Sequence, residues 1–209
     1  MLVRDIMTSP VVGIGPDIGL QDAYRIMQEK GIRHLPVLDG EALVGVITDR
    51  DLRLATSALA PMPFPPGDKV PAVMSRIPLT AEPVDPVEDA ARIMRDKKIG
   101  CLPVTDGGRL VGIITGLDLL DALIRLTGAD RPSGRLEVRL TGHPGQLARL
   151  TSFLGRRALG IHSLLTYPEG SERLRTVLRV GSIEVRLLAH DLRRAGFDVL
   201  WPPDKPCLP

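Results

Sequence analysis

The chain has 209 residues, 44% hydrophobic and 25% charged, an ordinary globular balance that argues against disorder. Its 27 basic and 25 acidic residues leave a net charge of +2, with the basic residues scattered, so no concentrated basic face for nucleic acid is expected. No segment approaches the 18 apolar residues of a membrane span.

The N-terminal stretch MLVRDIMTSP lacks the apolar core of a signal peptide. Cys101 and Cys207 are too few for a disulfide framework, so reduced thiols and a cytoplasmic location are expected.

Self-similarity dominates the first half. Val3–Leu52 aligns with Val70–Leu119 at a constant offset without a gap, with roughly two in five positions identical. Each unit reads as β-α-β-β-α. Asp22 and Asp89 open helical stretches, Ala23–Lys30 and Ala90–Lys97, with apolar residues at i, i+3, i+4 spacing. Short strands His34–Leu38 and Cys101–Thr105 carry an early Pro. Asp39-Gly40 and Asp106-Gly107 are hairpin turns. Leu43–Thr48 and Leu110–Thr115 are near-continuous apolar strands, expected to be buried on both faces. A last helix starts at Asp49 or Gly116. Units this small need each other's apolar faces.

Pro61–Pro71 is too rich in proline for a helix or central strand. Thr127–Gly134 is a second break. Beyond it, Arg135–Leu140 alternates as a strand, and Leu147, Leu150 and Leu154 mark a helix ended by Gly160. Strands Ile161–Tyr167 and Arg173–Val180 flank a Pro168–Ser171 loop. Ser182 is a plausible N-cap for a helix over Ile183–Ala195, and Phe197–Trp201 is a final strand. The order βαββαβ predicts the ferredoxin-like split βαβ, an antiparallel sheet with both helices on one face. The resulting division is repeat 1 over 1–60, a connector over 61–69, repeat 2 over 70–126, a linker over 127–134, a third domain over 135–202 and a tail over 203–209. The fold class is α/β (α+β).

The repeats resemble the CBS domain family. The markers are GIRHLPV at Gly31–Val37 and IGCLPV from Ile99, each followed by Asp-Gly, by LVG(V/I)IT, and by Thr48-x-x-Asp51 or Thr115-x-x-Asp118. A tandem pair of this kind resembles a Bateman module. The last third resembles an ACT domain: Pro144-Gly145 matches its loop signature, while Gly142 stands where that family has an acidic or amide residue. The CBS–CBS–ACT order resembles the acetoin utilization protein family.

The resemblance implies a regulatory ligand carrying adenosine: AMP, ADP, ATP or S-adenosylmethionine. An Asp carboxylate can accept from both ribose hydroxyls at once. By spacing alone, Thr48-x-x-Asp51 reads as a helix cap; the resemblance makes Asp51 and Asp118 ribose ligands. It also implies that Arg33 and His34 meet phosphates, with Arg50 a third candidate; without a ligand these are solvated side chains. Thr80 matches a ligand-holding Thr on the partner repeat, and its equivalent in repeat 1 is Gly13. One site therefore combines Asp51 with Arg33, His34, Thr48, Arg50 and Thr80. The other keeps Thr115 and Asp118, has Gly100 and Cys101 in place of phosphate ligands, and is expected to be empty or to take an uncharged adenosine-like group. His34, His143, His162 and His190 lack metal-ligand spacing, so no zinc site is expected.

Three functional readings follow: a sensor that passes a ligand-dependent change to a partner protein, a scaffolding dimer with vestigial pockets, and an enzyme subunit. The last has no nucleophile–base pair behind it. A homodimer is expected, because both repeat pairs and ACT-like sheets leave apolar edges.

Overall fold

The computed structural model describes residues 1–204. Cys207, and with it most of the expected tail, lies outside the described residues. Contacts divide the chain into two compact units, Met1–Ala122 and Leu123 onward.

In the first unit each repeat builds the same helix, hairpin and helix. Repeat 1 has α1 (Leu20–Lys30), β1 (His34–Asp39), β2 (Ala42–Thr48) and α2 (Asp49–Ala55). Then come β3 (Ser75–Arg76), α3 (Val87–Lys97), β4 (Cys101–Asp106), β5 (Arg109–Thr115) and α4 (Gly116–Leu126). Helices α1 and α3 start two residues before the acidic residues expected to open them, because Gly19 and Pro86 are the N-caps. Asp22 and Asp89 sit instead in the first turn, where their charge favours the positive end of the helix. The first strand expected of each repeat is reduced to one parallel bridge, Ile14 with Val37 and Ala81 with Val104. The middle strands are buried as their apolar runs predict, at Gly45–Ile47 and Gly112–Ile114.

The repeats exchange their leading segments. Val3 is fully buried in the core of repeat 2, with Ala90, Met94, Leu102 and Ile114. Val70 is fully buried in the core of repeat 1, with Leu20, Met27, Leu35 and Ile47. Backbone bonds fix both segments: Val3 N–H donates to Asp85 O at 2.9 Å, and Val70 N–H to Ile18 O at 3.0 Å. Two methionines complete the exchange. The sulfur of Met74 lies over Gly45, and that of Met7 over Gly112, each in space that a side chain would claim. The proline-rich connector is ordered against α1: Leu20 N–H donates to Asp68 O at 2.8 Å and Gln21 N–H to Pro66 O at 3.0 Å. Val46, Cys101 and Ile113 form a small buried cluster where the hairpins meet.

The second unit contains β6 (Gly134–Thr141), α5 (Gln146–Gly155), β7 (Ile161–Glu169), β8 (Arg173–Val180), α6 (Val185–Arg194) and β9 (Asp198–Trp201). The strand order β7-β8-β6-β9, antiparallel throughout, is that of the ferredoxin-like split βαβ. Leu136, Val138, Leu140, Leu178 and Val180 pack against Leu150, Leu154, Leu188 and Leu192 of the two helices. Helix α6 departs from expectation. Its N-cap is Glu184, and Ser182 instead accepts the Glu184 N–H at 3.2 Å in a local turn.

Candidate functional site

Each hairpin ends in a Thr that starts the next helix. Thr48 is the N-cap of α2, and Asp51 closes a capping box with it. Thr48 Oγ1 and N–H donate to Asp51 Oδ2 at 2.7 and 3.0 Å, and Asp51 N–H donates back to Thr48 Oγ1 at 3.2 Å. Repeat 2 reproduces this: Thr115 Oγ1 and N–H donate to Asp118 Oδ2, both at 2.7 Å. The capping box read from spacing is complete in repeat 1; in repeat 2 the Asp118 N–H returns to Thr115 Oγ1 at a longer 3.5 Å. It uses one carboxylate oxygen. Among the described residues, Oδ1 of Asp51 and of Asp118 accepts no hydrogen bond, and all four residues are half-buried. A carboxylate fixed through one oxygen keeps the other for a ligand hydroxyl.

Both carboxylates act across the seam between the repeats. Asp51, in repeat 1, adds to the rise of the Cys101 thiol in repeat 2, which burial chiefly pushes up to about 12. Asp118, in repeat 2, acts on His34 in repeat 1, as do Asp49 and Asp51. Those carboxylates favour the imidazolium. Burial and then the Arg33 charge outweigh them, and His34 titrates below the ordinary histidine value. The imidazole crosses onto repeat 2: its Nε2 stands 2.7 Å from where a Cβ on Gly100 would be.

Of the other expected site residues, Arg33 precedes His34 and Arg50 precedes Asp51 in the chain. Arg33 and Arg50 are exposed, and the Arg33 carbonyl accepts the Asp49 N–H at 3.0 Å. Thr80 is exposed and precedes Ala81, whose N–H donates to Pro103 O at 3.0 Å, two residues from Cys101. Gly13 holds the matching place beside β1: Ile14 N–H donates to Pro36 O at 3.0 Å, and a Cβ on Gly13 would meet Leu38 Cδ1 at 2.9 Å. A cavity of about 310 Å³ opens elsewhere, between α1, α2 and the connector, lined by Leu20, Gln21, Tyr24, Leu52, Arg53, Thr56 and Pro66. No motif in the sequence pointed to it. Among the described residues, no three His, Cys, Asp or Glu side chains cluster as metal ligands would, and no helix is long and apolar enough to cross a membrane.

The family model for the CBS domain matches twice, at residues 3–57 and 70–125. The chain belongs to the CBS domain family. A CBS domain-containing protein of Dictyostelium discoideum is 40% identical over 139 residues, 60% of this chain and 93% of that one. The inosine-5'-monophosphate dehydrogenase of Korarchaeum cryptofilum is 30% identical over 149 residues, but the chain spans only 29% of that enzyme. Among solved structures, the CBS pair of MJ0100, in complex with 5'-methylthioadenosine and S-adenosyl-L-methionine, is 29% identical with a TM-score of 0.54. That match covers 63% of this chain and 98% of that CBS pair. CBSX2, in complex with AMP, is 30% identical with a TM-score of 0.54, covering 60% and 97%. An acetoin utilization protein assignment (AcuB) from Vibrio cholerae is 32% identical with a TM-score of 0.53, covering 62% and 95%. The CBS pair is thus of a kind that is regulatory and holds adenosyl ligands in related structures.

In the second unit, the loop Gly142, Pro144 and Gly145 is exposed between β6 and α5. Gly145 adopts a left-handed φ of 88° as the N-cap of α5, and Gly142 N–H donates to Glu172 O at 2.7 Å. Arg175 is paired with Glu137 at 3.1 Å and with Glu169. Arg139 joins Glu169 at 2.6 Å and Asp198 at 2.7 Å.

Proposed function

We propose that this CBS pair is a sensor that binds an adenine nucleotide or another adenosyl ligand at the seam and signals its presence to a partner protein. The observation that carries it is the duplicated Thr–Asp box, with one carboxylate oxygen tied to the cap and the other available. Asp51 and Asp118 would take ribose hydroxyls, with Thr48, Thr115 and Thr80 beside them. Arg33, His34 and Arg50 would take phosphates. The AMP, 5'-methylthioadenosine and S-adenosylmethionine complexes of related pairs support that ligand class. The likeness to the AcuB structure supports a place in acetoin or related carbon metabolism.

The second unit, on this reading, is an ACT-like dimerisation domain and not an amino-acid sensor. Gly142 has no side chain to accept from a ligand ammonium, and its backbone is already engaged by Glu172. Leu117, Leu120 and Ile124, exposed at i, i+3, i+7 on α4, support a homodimer through the CBS pair as well. Light scattering showing a monomer at micromolar concentration would remove that part.

Thermal melting tests the ligand reading. AMP, ADP, ATP or S-adenosylmethionine at a hundred times its dissociation constant adds about 2.7 kcal/mol and should raise the melting point by several degrees. No shift at millimolar concentration favours a scaffolding dimer, for which the capping boxes are sufficient.

A further inference from the structure

His34 occupies a position that neither the capping boxes nor the pairing of either repeat requires. It heads β1, opposite Thr48 in the ladder, yet its ring lies across the seam on Gly100. The equivalent residue of repeat 2 is Cys101, buried and kept as a neutral thiol. The pair is therefore asymmetric at its centre: one repeat contributes an imidazole, and the other contributes a glycine that makes room for it. The charged groups acting on the ring come from three directions. Arg33 precedes it in the chain, Asp49 and Asp51 belong to α2, and Asp118 belongs to α4 of the other repeat. Both seam carboxylates are bound by their threonines, and none of their described hydrogen bonds goes to His34.

We propose that His34 is shared by the two candidate sites built on Asp51 and Asp118 and is the group whose protonation admits a ligand phosphate, so that phosphorylated adenosyl ligands bind with uptake of a proton and unphosphorylated ones do not. The proposal rests on reading the seam as an adenosyl-ligand site. Without ligand, burial and Arg33 keep the ring neutral near pH 7 against the pull of three carboxylates. A phosphate dianion adds its negative charge to that of the three carboxylates and tips the balance toward the imidazolium. Protonation turns the ring's acceptor nitrogen into a second, charged donor, and the proton comes from solvent. Adenosine or 5'-methylthioadenosine offers no such charge and leaves the ring neutral. His34 thereby determines specificity between the two ligand types and makes it depend on pH.

Calorimetry of AMP and adenosine binding at pH 7.5, in two buffers of different protonation enthalpy, measures the proton directly. The AMP phosphate is already a dianion there, since phosphate monoesters have a second pKa of about 6. The wild-type chain should take up a fraction of a proton with AMP and none with adenosine. AMP affinity should rise as pH falls, by up to about tenfold per unit while a full proton is taken up. His34→Gln should abolish the uptake and leave adenosine affinity within about twofold. Gly100→Ala, which puts a methyl 2.7 Å from Nε2, should displace the ring and reduce the uptake with adenosine binding retained. AMP binding with no uptake, or with the same uptake in His34→Gln, overturns the proposal. Uptake with adenosine equal to that with AMP also overturns it. Failure of both ligands to bind overturns the adenosyl-site reading itself, and this proposal with it.

Discussion

Lys98 stands where repeat 1 has Gly31, at the left-handed C-cap of the first helix. Gly31 adopts φ 64° without cost, and Lys98 adopts φ 55° with a Cβ. Lys98→Gly should therefore stabilise the chain by about 1 kcal/mol, seen as a higher urea midpoint at unchanged slope. Cys101 makes the opposite kind of prediction. With its pKa pushed up to about 12 by burial and then by Asp51, it should resist alkylation at pH 8 in the folded chain and react fully in denaturant. The influence of Asp51 on Cys101 was not legible in the sequence, because it arises from packing one repeat against the other. The Thr–Asp boxes were legible as caps, and the structure has them bonded through one carboxylate oxygen each; their role toward a ligand is the proposal made above.

Elements were legible where an apolar period ran uninterrupted and less so at their ends. The βαββαβ order followed from alternation in 135–140 and 173–180 and from the leucines of α5. Ser182 looked like the N-cap of α6 because caps favour Ser. The helix starts two residues later, where Gly134 packs closely. A Cβ on Gly134 would lie 2.0 Å from Val185 Cγ1 and 2.3 Å from the Ser182 carbonyl oxygen. Nothing in a Pro-Ser-Gly stretch signals that contact. Gly134→Ala should cost on the order of 1–3 kcal/mol, because a backbone carbonyl cannot turn away as a long side chain can. The paired sheet face carries its own pH signature. Arg139, then Arg175, holds the Glu169 carboxyl down to about 2. Because that value is depressed, the stabilisation is present above the ordinary glutamate range and is lost as pH falls from about 4.5 through 2. Glu169→Gln should flatten that part of an acid-unfolding curve, a change readable by circular dichroism.

For the first unit taken whole, the repeat was evident in the sequence, and so was the need of each copy for the other. The form that need takes was not. The alignment places Val3 in repeat 1 and Val70 in repeat 2, while the fold buries each in the other's core. Periodicity within a segment cannot reveal that exchange, because Val3 and Val70 occupy equivalent positions in either arrangement. It follows that neither repeat, cut at the sequence boundary, carries its own complete core. Val3→Ala should lower amide-exchange protection at Leu102 and Ile114 more than at Leu35 and Ile47, a polarity opposite to the one expected from chain proximity.

The seam created by that exchange is where the two Thr–Asp boxes and His34 meet, and the claim that it holds an adenosyl ligand can be tested in a single titration series. AMP is titrated calorimetrically into the wild-type chain, Asp51→Ala, Asp118→Ala and the double variant, well below the melting point of each, since loss of a cap costs about 1 kcal/mol of stability. Saturable binding by the wild type is expected, with a loss of about tenfold or more in affinity for Asp51→Ala, a smaller loss for Asp118→Ala, and no binding by the double variant. Wild-type affinity retained by the folded double variant would rule out the seam as the adenosyl-ligand site.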